Sequence, residues 1–294
     1  MKKYIKYFRL IVLLIFESYF GSSFLSGQLI SLADLPPSIN ESSGLENSGD
    51  SCIWTFNDSG GNPEIYLVDT LGNLLRTLKI RNAWNRDWED ITRDKSGNMY
   101  IGNIGNNSNS NTDLCIFKIP DPDTIKSNYT NADLIHFSFE DQYEFPPAKD
   151  SLYFDCEALM WYDSHLYLAT KNRTKPFDGL SHLYRIPDSP GNYVAEKIAS
   201  FDTGGENMYE FWITAGDISE NGKMLALLTS DKVWLFSDFE EDNFFDGKMQ
   251  IIQLPHNTHK EGICFSGDNS ILITDEDWKK RIGRKIYRLN FKVK

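Results

Sequence analysis

Five segments of the chain share one pattern: a small or acidic residue before an aliphatic one, a turn, an alternating apolar strand and a polar cluster. The first opens at Glu41–Leu45 and continues through Cys52–Phe56 to Asn57–Gly60. The second runs from Asp87–Ile91 through Met99–Ile101 to Asn103–Asn107, and the third from Asp155–Leu159 through His165–Ala169 to Thr170–Arg173. The fourth takes Thr214–Ile218, Met224–Leu228 and Thr229–Asp231; the fifth takes Lys260–Ile263, Ile271–Ile273 and Thr274–Glu276. Their aliphatic markers Leu45, Ile91, Leu159, Ile218 and Ile263 lie 46, 68, 59 and 45 residues apart. That brackets the ~40–50-residue period of propeller blades, with two enlarged units.

Turn chemistry agrees. Asn47–Asp50, Asp94–Gly97, Glu220–Gly222 and Ser266–Asp268 fall between the first and second strands of their units, and Gly and Asn tolerate the positive φ of tight hairpins. Third strands are expected at Glu64–Val68, Leu114–Phe117, His182–Ile186, Lys232–Phe236 and Lys285–Leu289. Fourth strands are expected at Leu74–Ile80, Leu134–Phe139, Glu196–Phe201 and Met249–Leu254. The fifth unit lacks a fourth strand, but a spare one, Gln28–Leu35, precedes the first unit. The expected fold is therefore an all-β, five-bladed β-propeller, its ring closed by an N-terminal strand that completes the last blade. Closure also protects sheet edges from pairing with other chains. No sustained 3.6-residue pattern supports helices beyond the N-terminal segment.

That segment reads as an export signal. Lys2, Lys3, Lys6 and Arg9 precede an apolar run, Ile11–Phe16, and small residues follow over 21–28. The division expected is a signal peptide at 1–27 and one propeller domain at 28–294, secreted or periplasmic, with a retained anchor as the rival. The formal net charge of -12 argues against nucleic acid and against anionic lipid. Cys52, Cys115, Cys156 and Cys264 form no C-x-x-C pair and lie on strands, as buried small hydrophobes do; a disulfide stays open.

In a propeller the start of each first strand and the end of each second strand meet at one face. This gathers Glu41, Asp87, Glu89, Asp155, Glu157, Asp217 and Glu261 at one mouth, with Asp58, Asn106, Asp231, Asp275 and Glu276 approaching from second strands. Two carboxylates about 8 Å apart repel by roughly 2 kcal/mol at an effective dielectric near 20. Something must offset that: a metal ion, protonation, or the bases Arg86, Lys171, Arg173 and Lys260 of the same loops. Carboxylates and amides suit calcium (Ca2+). Glu89, Glu157 and Glu261 share one position, two before the marker, and are candidates as metal ligands or as an acid–base set. Purely structural acids, capping strand starts, are the competing reading. Trp88, inside the acidic motif, is a candidate for stacking on a ligand. Asn57–Gly61 looks like a serine-protease nucleophile segment but has no convincing histidine partner, and no phosphate-binding glycine loop occurs.

Ser43–Leu45 with Asn57–Gly60, Asp87–Ile91 with Gly102–Asn107, Glu157–Leu159 and Glu261–Ile263 resemble exported bacterial propellers similar to the phytase-like (esterase-like) and SdiA-regulated families. The resemblance implies a periplasmic or extracellular propeller with calcium; the mouth is too acidic to carry over phytase activity. The function expected is a monomeric propeller binding a cation and a small-molecule or protein ligand at its mouth. Glu41, Asp58, Asp87, Trp88, Asn106, Lys171, Arg173, Asp217 and Asp275 are the ligand-binding candidates. A secreted hydrolase of phosphoesters or glycosides and a plain interaction scaffold are the alternatives.

Overall fold

A computed structural model describes residues 23–25, 27–49, 51–205, 207–277 and 283–292. The export segment thus lies largely outside the described residues. Its last part, Ser23–Leu25, forms a short strand β1, and β2 follows at Gln28–Asp34. The first repeat supplies β3 (Ser42–Asn47), β4 (Cys52–Asn57), β5 (Glu64–Asp69) and β6 (Leu74–Ile80). The second supplies β7 (Ile91–Arg93), β8 (Met99–Asn103), β9 (Cys115–Ile119), a two-residue β10 (Tyr129–Thr130) and β11 (Asp133–Phe139). The third holds β12 (Asp155–Tyr162), β13 (His165–Lys171), β14 (Leu180–Pro187) and β15 (Gly191–Asp202). The fourth holds β16 (Ala215–Ile218), β17 (Met224–Leu228), β18 (Lys232–Ser237) and β19 (Lys248–Gln253); the fifth has β20 (Lys260–Gly267), β21 (Ser270–Asp275) and β22 (Lys285–Asn290).

Each repeat is an antiparallel meander. Its hairpins are built locally. In Asp69–Asn73 and Asp94–Asn98, the aspartate Oδ1 accepts the N–H groups two and four residues on. The asparagine then returns its Nδ2 to the other oxygen. Gly72 and Gly97 take φ of 85° and 87° at the tips, where a side chain would be strained. The N-terminal β2 pairs antiparallel with β22, from Gln28↔Asn290 to Asp34↔Lys285, so the spare strand does join the last repeat.

Apolar alternation along the strands fills the gaps between successive sheets. Trp54 and Phe56 of the first repeat pack with Ile101 and Phe117 of the second. Leu45 and Ile53 pack with Cys264 and Leu272 of the fifth, joining the chain's two ends. Fully burying one such large side chain contributes about 1.5–3 kcal/mol. All four cysteines are free; Cys115, Cys156 and Cys264 are buried and Cys52 is half-buried.

The first strands also tie to one another. Ser43 Oγ donates to the Glu89 carbonyl at 2.6 Å, and the Phe265 N–H donates to Asp217 at 2.7 Å. Asp90 Oδ2 accepts the N–H groups of Leu159 at 2.9 Å and Gly216 at 3.2 Å, reaching two other repeats from one carboxylate.

Three outer-edge pairings go beyond the sequence pattern. β1 adds parallel to β19, β10 adds parallel to β6, and β11 pairs parallel with β15, fusing the second and third repeats into one eight-stranded sheet. Strands of two or three residues carry too little periodicity to be seen in sequence. They cover edges that would otherwise pair with other chains. Among the described residues no helix is long and apolar enough to cross a membrane.

Candidate functional site

Backbone bonds continue past β7 and β8: Glu89 N–H donates to Gly102 at 3.0 Å and Gly105 N–H to the Asp87 carbonyl at 3.1 Å. Alternation along this extension puts Asp87 and Glu89 on one side and Trp88 on the other. Gly105 faces the two acids so closely that a Cβ there would sit 2.1 Å from Glu89 Oε1 and 2.4 Å from Asp87 Cγ. Asp58, just past β4, is fixed by its N–H to the Glu41 carbonyl at 2.8 Å. One carboxylate oxygen each of Asp58, Asp87 and Glu89 lie within 4.8 Å of one another.

Among the described residues no lysine or arginine forms an ion pair with this trio, although the charges of Arg86 and Arg173 act on Asp87. Glu89 is 3% exposed, and among the described residues it has neither a hydrogen-bond nor an ion-pair partner for its carboxylate. Asp58 Oδ1 is wholly buried and unpartnered as well. Burial, followed by the charges of Glu261, Asp87, Glu157 and Glu276, pushes Asp58 up to about 9. Burial first, then Glu157 and Asp58, holds Glu89 well above the carboxylate range. Asp87 is raised by burial and by Asp155.

The neighbouring acids are matched. Lys171 Nζ lies 2.9 Å from Glu157 Oε1, Arg173 Nε donates to Asp155 at 2.6 Å, and Arg173 Nη2 reaches Glu157 at 3.4 Å. Arg173 also donates to Asn107, whose Nδ2 donates to Asp87 at 3.3 Å. The Trp212 ring lies against both bases, 4.6 Å from Arg173 Cζ and 5.3 Å from Lys171 Nζ. Burial pushes Glu157 up to about 8, whereas its charge holds Lys171 above the ordinary lysine value against burial. The first shift favours a neutral carboxyl, the second a charged ammonium. The contact decides for the ion pair, because an ammonium 2.9 Å away stabilises the carboxylate directly.

A second acidic group lies at the mouth, and the charges of its Glu261 and Glu276 act on Asp58. His259, Glu261 and Glu276 each place one ligand-type atom within 4.8 Å of the others, and His259 Nδ1 is 3.5 Å from Glu276 Oε2. Glu261 is pushed up to about 7 by burial and then Glu276; His259 is raised by its contact with Glu276.

The structure thus brings Asp58, Asp87, Glu89, Asp155, Glu157, Glu261, Glu276, Lys171 and Arg173 together, and leaves other candidates elsewhere. Trp88 is fully buried in the core, edge-on to Phe56 with centroids 5.4 Å apart, its Nε1 donating to the Trp84 carbonyl; it has no face for a ligand. Asn106 spends its polar groups on Asp155, Phe154 and Asn111 as a loop brace. Asp217 accepts the N–H groups of Phe265 and Ile218, and the charges that act on it are those of Glu46 and Asp90. Asp275 is fully buried, accepting from Thr258, Lys285 and Tyr287. Glu41 is an exposed rim residue. Gly105, Asn107 and Trp212 are site residues that sequence reasoning did not single out. Gly105 and Asn107 lie in the Gly102–Asn107 motif, but Trp212 had no local signal.

Of the metal ligands expected, Glu89, Glu157 and Glu261 do not meet at one point. Each lies in a different subset: Glu89 with Asp58 and Asp87, Glu157 with the bases, Glu261 with His259 and Glu276. Identical repeat positions acquire different neighbours because the loops after the second strands differ.

Similarity to solved structures lies in the fold. The PQQ-bound aldose sugar dehydrogenase of Streptomyces coelicolor superposes with a TM-score of 0.51 at 11% identity, covering 90% of this chain and 98% of that one. The fold is that of a β-propeller. A streptogramin B lyase matches with a TM-score of 0.48 at 13% identity, over 90% of this chain and 98% of its own. No family model and no curated protein matches the chain. None of these likenesses supports the phytase-like or SdiA-regulated resemblance.

Proposed function

We propose that this chain is an exported, monomeric, five-bladed propeller that binds a divalent cation, calcium by ligand chemistry, and through it a small ligand at the acidic mouth. The blade count rests on the five meanders and on the packing of the fifth against the first. One observation carries the cation reading: Asp58 Oδ1, buried and without a hydrogen-bond partner among the described residues, stands in a trio whose oxygens from Asp58, Asp87 and Glu89 lie within 4.8 Å of one another. A buried carboxylate without a compensating charge is strongly unfavourable, so it is protonated or matched by an ion. The donor set is all oxygen, as calcium prefers. Gly105 leaves room for it where a Cβ would not.

The hydrolytic alternative is less well supported. Glu157, one of its three acids, is tied to Lys171 and Arg173 and so is poorly placed to exchange protons.

Thermal melting tests the proposal. Calcium at a hundredfold excess over Kd is expected to stabilise the chelator-treated protein by about 2.7 kcal/mol. Glu89→Gln should remove that response while leaving the cation-free protein at least as stable, since an unmatched buried charge is gone. Gly105→Ala should remove it too, by crowding the carboxylates. A calcium response unchanged in both variants, or absent from the wild type, would overturn the reading.

A further inference from the structure

Resting on that cation reading, we infer that the ligand held through the ion is a neutral carbohydrate, its hydroxyls on the cation and one sugar ring stacked on Tyr209, which the chain fixes at the mouth beside Trp212.

Tyr209 is 69% exposed, yet its place is well defined. It stands on a single helical turn, α1 (Met208–Phe211). Its N–H donates to Asn207 Oδ1 at 3.2 Å, and its carbonyl accepts Ser230 Oγ at 3.1 Å. The next carbonyl, that of Glu210, accepts Lys232 Nζ at 2.9 Å. The Tyr209 ring meets the Trp212 ring at 4.9 Å between centroids, inclined by 70°, and Trp212 is itself anchored by Nε1 on the Asn172 carbonyl. A tyrosine braced in this way and still facing water adds little to the core. A bound ring would cover its apolar face.

A chain of contacts joins this platform to the cation site. The Trp212 ring lies against Arg173, Arg173 donates to Asn107, and Asn107 donates to Asp87 of the trio. Platform and trio are two rims of one mouth.

Charge selects the class of ligand. Lys171 and Arg173, which lie against Trp212, are matched by Glu157 and Asp155, so the platform is close to neutral. Asp58, Asp87, Glu89, Glu261 and Glu276 keep the rest of the mouth acidic even with one divalent ion bound, which repels carboxylates and phosphates. An ammonium would be drawn to the trio itself and displace the ion. A polyol suits both rims. Its vicinal hydroxyls extend an oxygen shell that calcium fills with about six to eight donors. The C–H face of its ring packs on the aromatic face.

An array of neutral and acidic mono- to tetrasaccharides, probed with the labelled full chain in calcium and again in chelator, tests this, with the best neutral sugar then titrated by calorimetry. That sugar is expected to bind at least about tenfold more weakly in chelator. Tyr209→Ala should weaken its binding in calcium by about tenfold or more, whereas Tyr209→Phe, which keeps the ring, should stay within about threefold of the wild type. Both variants change an exposed side chain and should keep the full calcium shift in melting temperature. A calcium shift with no neutral sugar retained, or with sugar binding that Tyr209→Ala leaves unchanged, would overturn the carbohydrate inference and spare the cation reading. Tighter binding of uronic acids than of neutral sugars, or binding equally tight in chelator, would overturn it as well. No calcium shift would sink both.

Discussion

Without divalent cations, the protein should melt on the order of 5–10 °C lower at about pH 8 than at about pH 5, and calcium at the higher pH should restore most of the difference. The cause is the set of buried carboxyls, the mouth acids together with Asp90, Asp217 and Glu157. Burial and neighbouring charges raise Asp58 to about 9 and Glu261 to about 7, and raise Glu89 and Asp87 as well. In the unfolded chain these groups titrate near 4. A group whose folded pKa is raised contributes stability that is complete below its unfolded pKa and lost as pH climbs through the folded one. The loss therefore falls between about pH 4 and pH 9. Glu261, raised from 4.5 to about 7, loses its contribution across the middle of that window. His259, also raised, adds in the same direction. Lys260 acts oppositely: buried and lowered to about 8, it regains stability only as pH rises above that value, so the comparison stops near pH 8. Scanning fluorimetry at the two pH values, with chelator and with calcium, reads this out. A chelator-treated protein equally stable at both, or more stable at pH 8, would show that the buried acids, those of the mouth included, are matched within the chain.

Asp90→Ala is expected to cost about 3–5 kcal/mol, the largest effect of any single polar substitution near the axis. The Asp90 carboxylate is fully buried and accepts three N–H groups, from Ile91 at 2.9 Å, Leu159 at 2.9 Å and Gly216 at 3.2 Å. Alanine would strand all three, each costing about 1–3 kcal/mol when buried and unsatisfied. Asp90→Asn keeps one acceptor oxygen and should cost less than half as much. Both variants should unfold in urea with the wild-type slope, because the surface exposed on unfolding is unchanged. An alanine variant within about 1 kcal/mol of wild type would mean that water replaces the carboxylate. Asp90 would then not be a tie between repeats.

The two acidic layers behave differently for a physical reason. Asp90 and Asp217 have backbone donors around their carboxylates, which offset part of a burial that still holds both well above the carboxylate range. Among the described residues no backbone N–H reaches the carboxylates of Glu89 and Asp58, and Asp58 Oδ1 is buried without a partner. Sequence reasoning grouped Asp217 with the mouth because it precedes an aliphatic marker, as Glu89 does. Asp217, however, immediately precedes Ile218, whereas Glu89 stands two before Ile91. On a strand that single step reverses the direction of the side chain. The same alternation, applied to Asp87-Trp88-Glu89, would have sent Trp88 into the core.

What this amino-acid sequence determined alone is the local part. The alternating strands, the glycine and asparagine turns and the spacing of the markers specify all-β meanders, because pleat and turn depend on residues a few positions apart. The spare strand expected at Gln28–Leu35 is also assigned to the last repeat, where Gln28–Asp34 pairs with β22. The tertiary structure decided what the acids become. Glu89, Glu157 and Glu261 are equivalent as letters in a repeat, yet one meets only other acids, one meets Lys171 and Arg173, and one meets His259 and Glu276. A carboxylate's chemistry follows from the charges and donors within a few ångströms, and those arrive from loops far away along the chain.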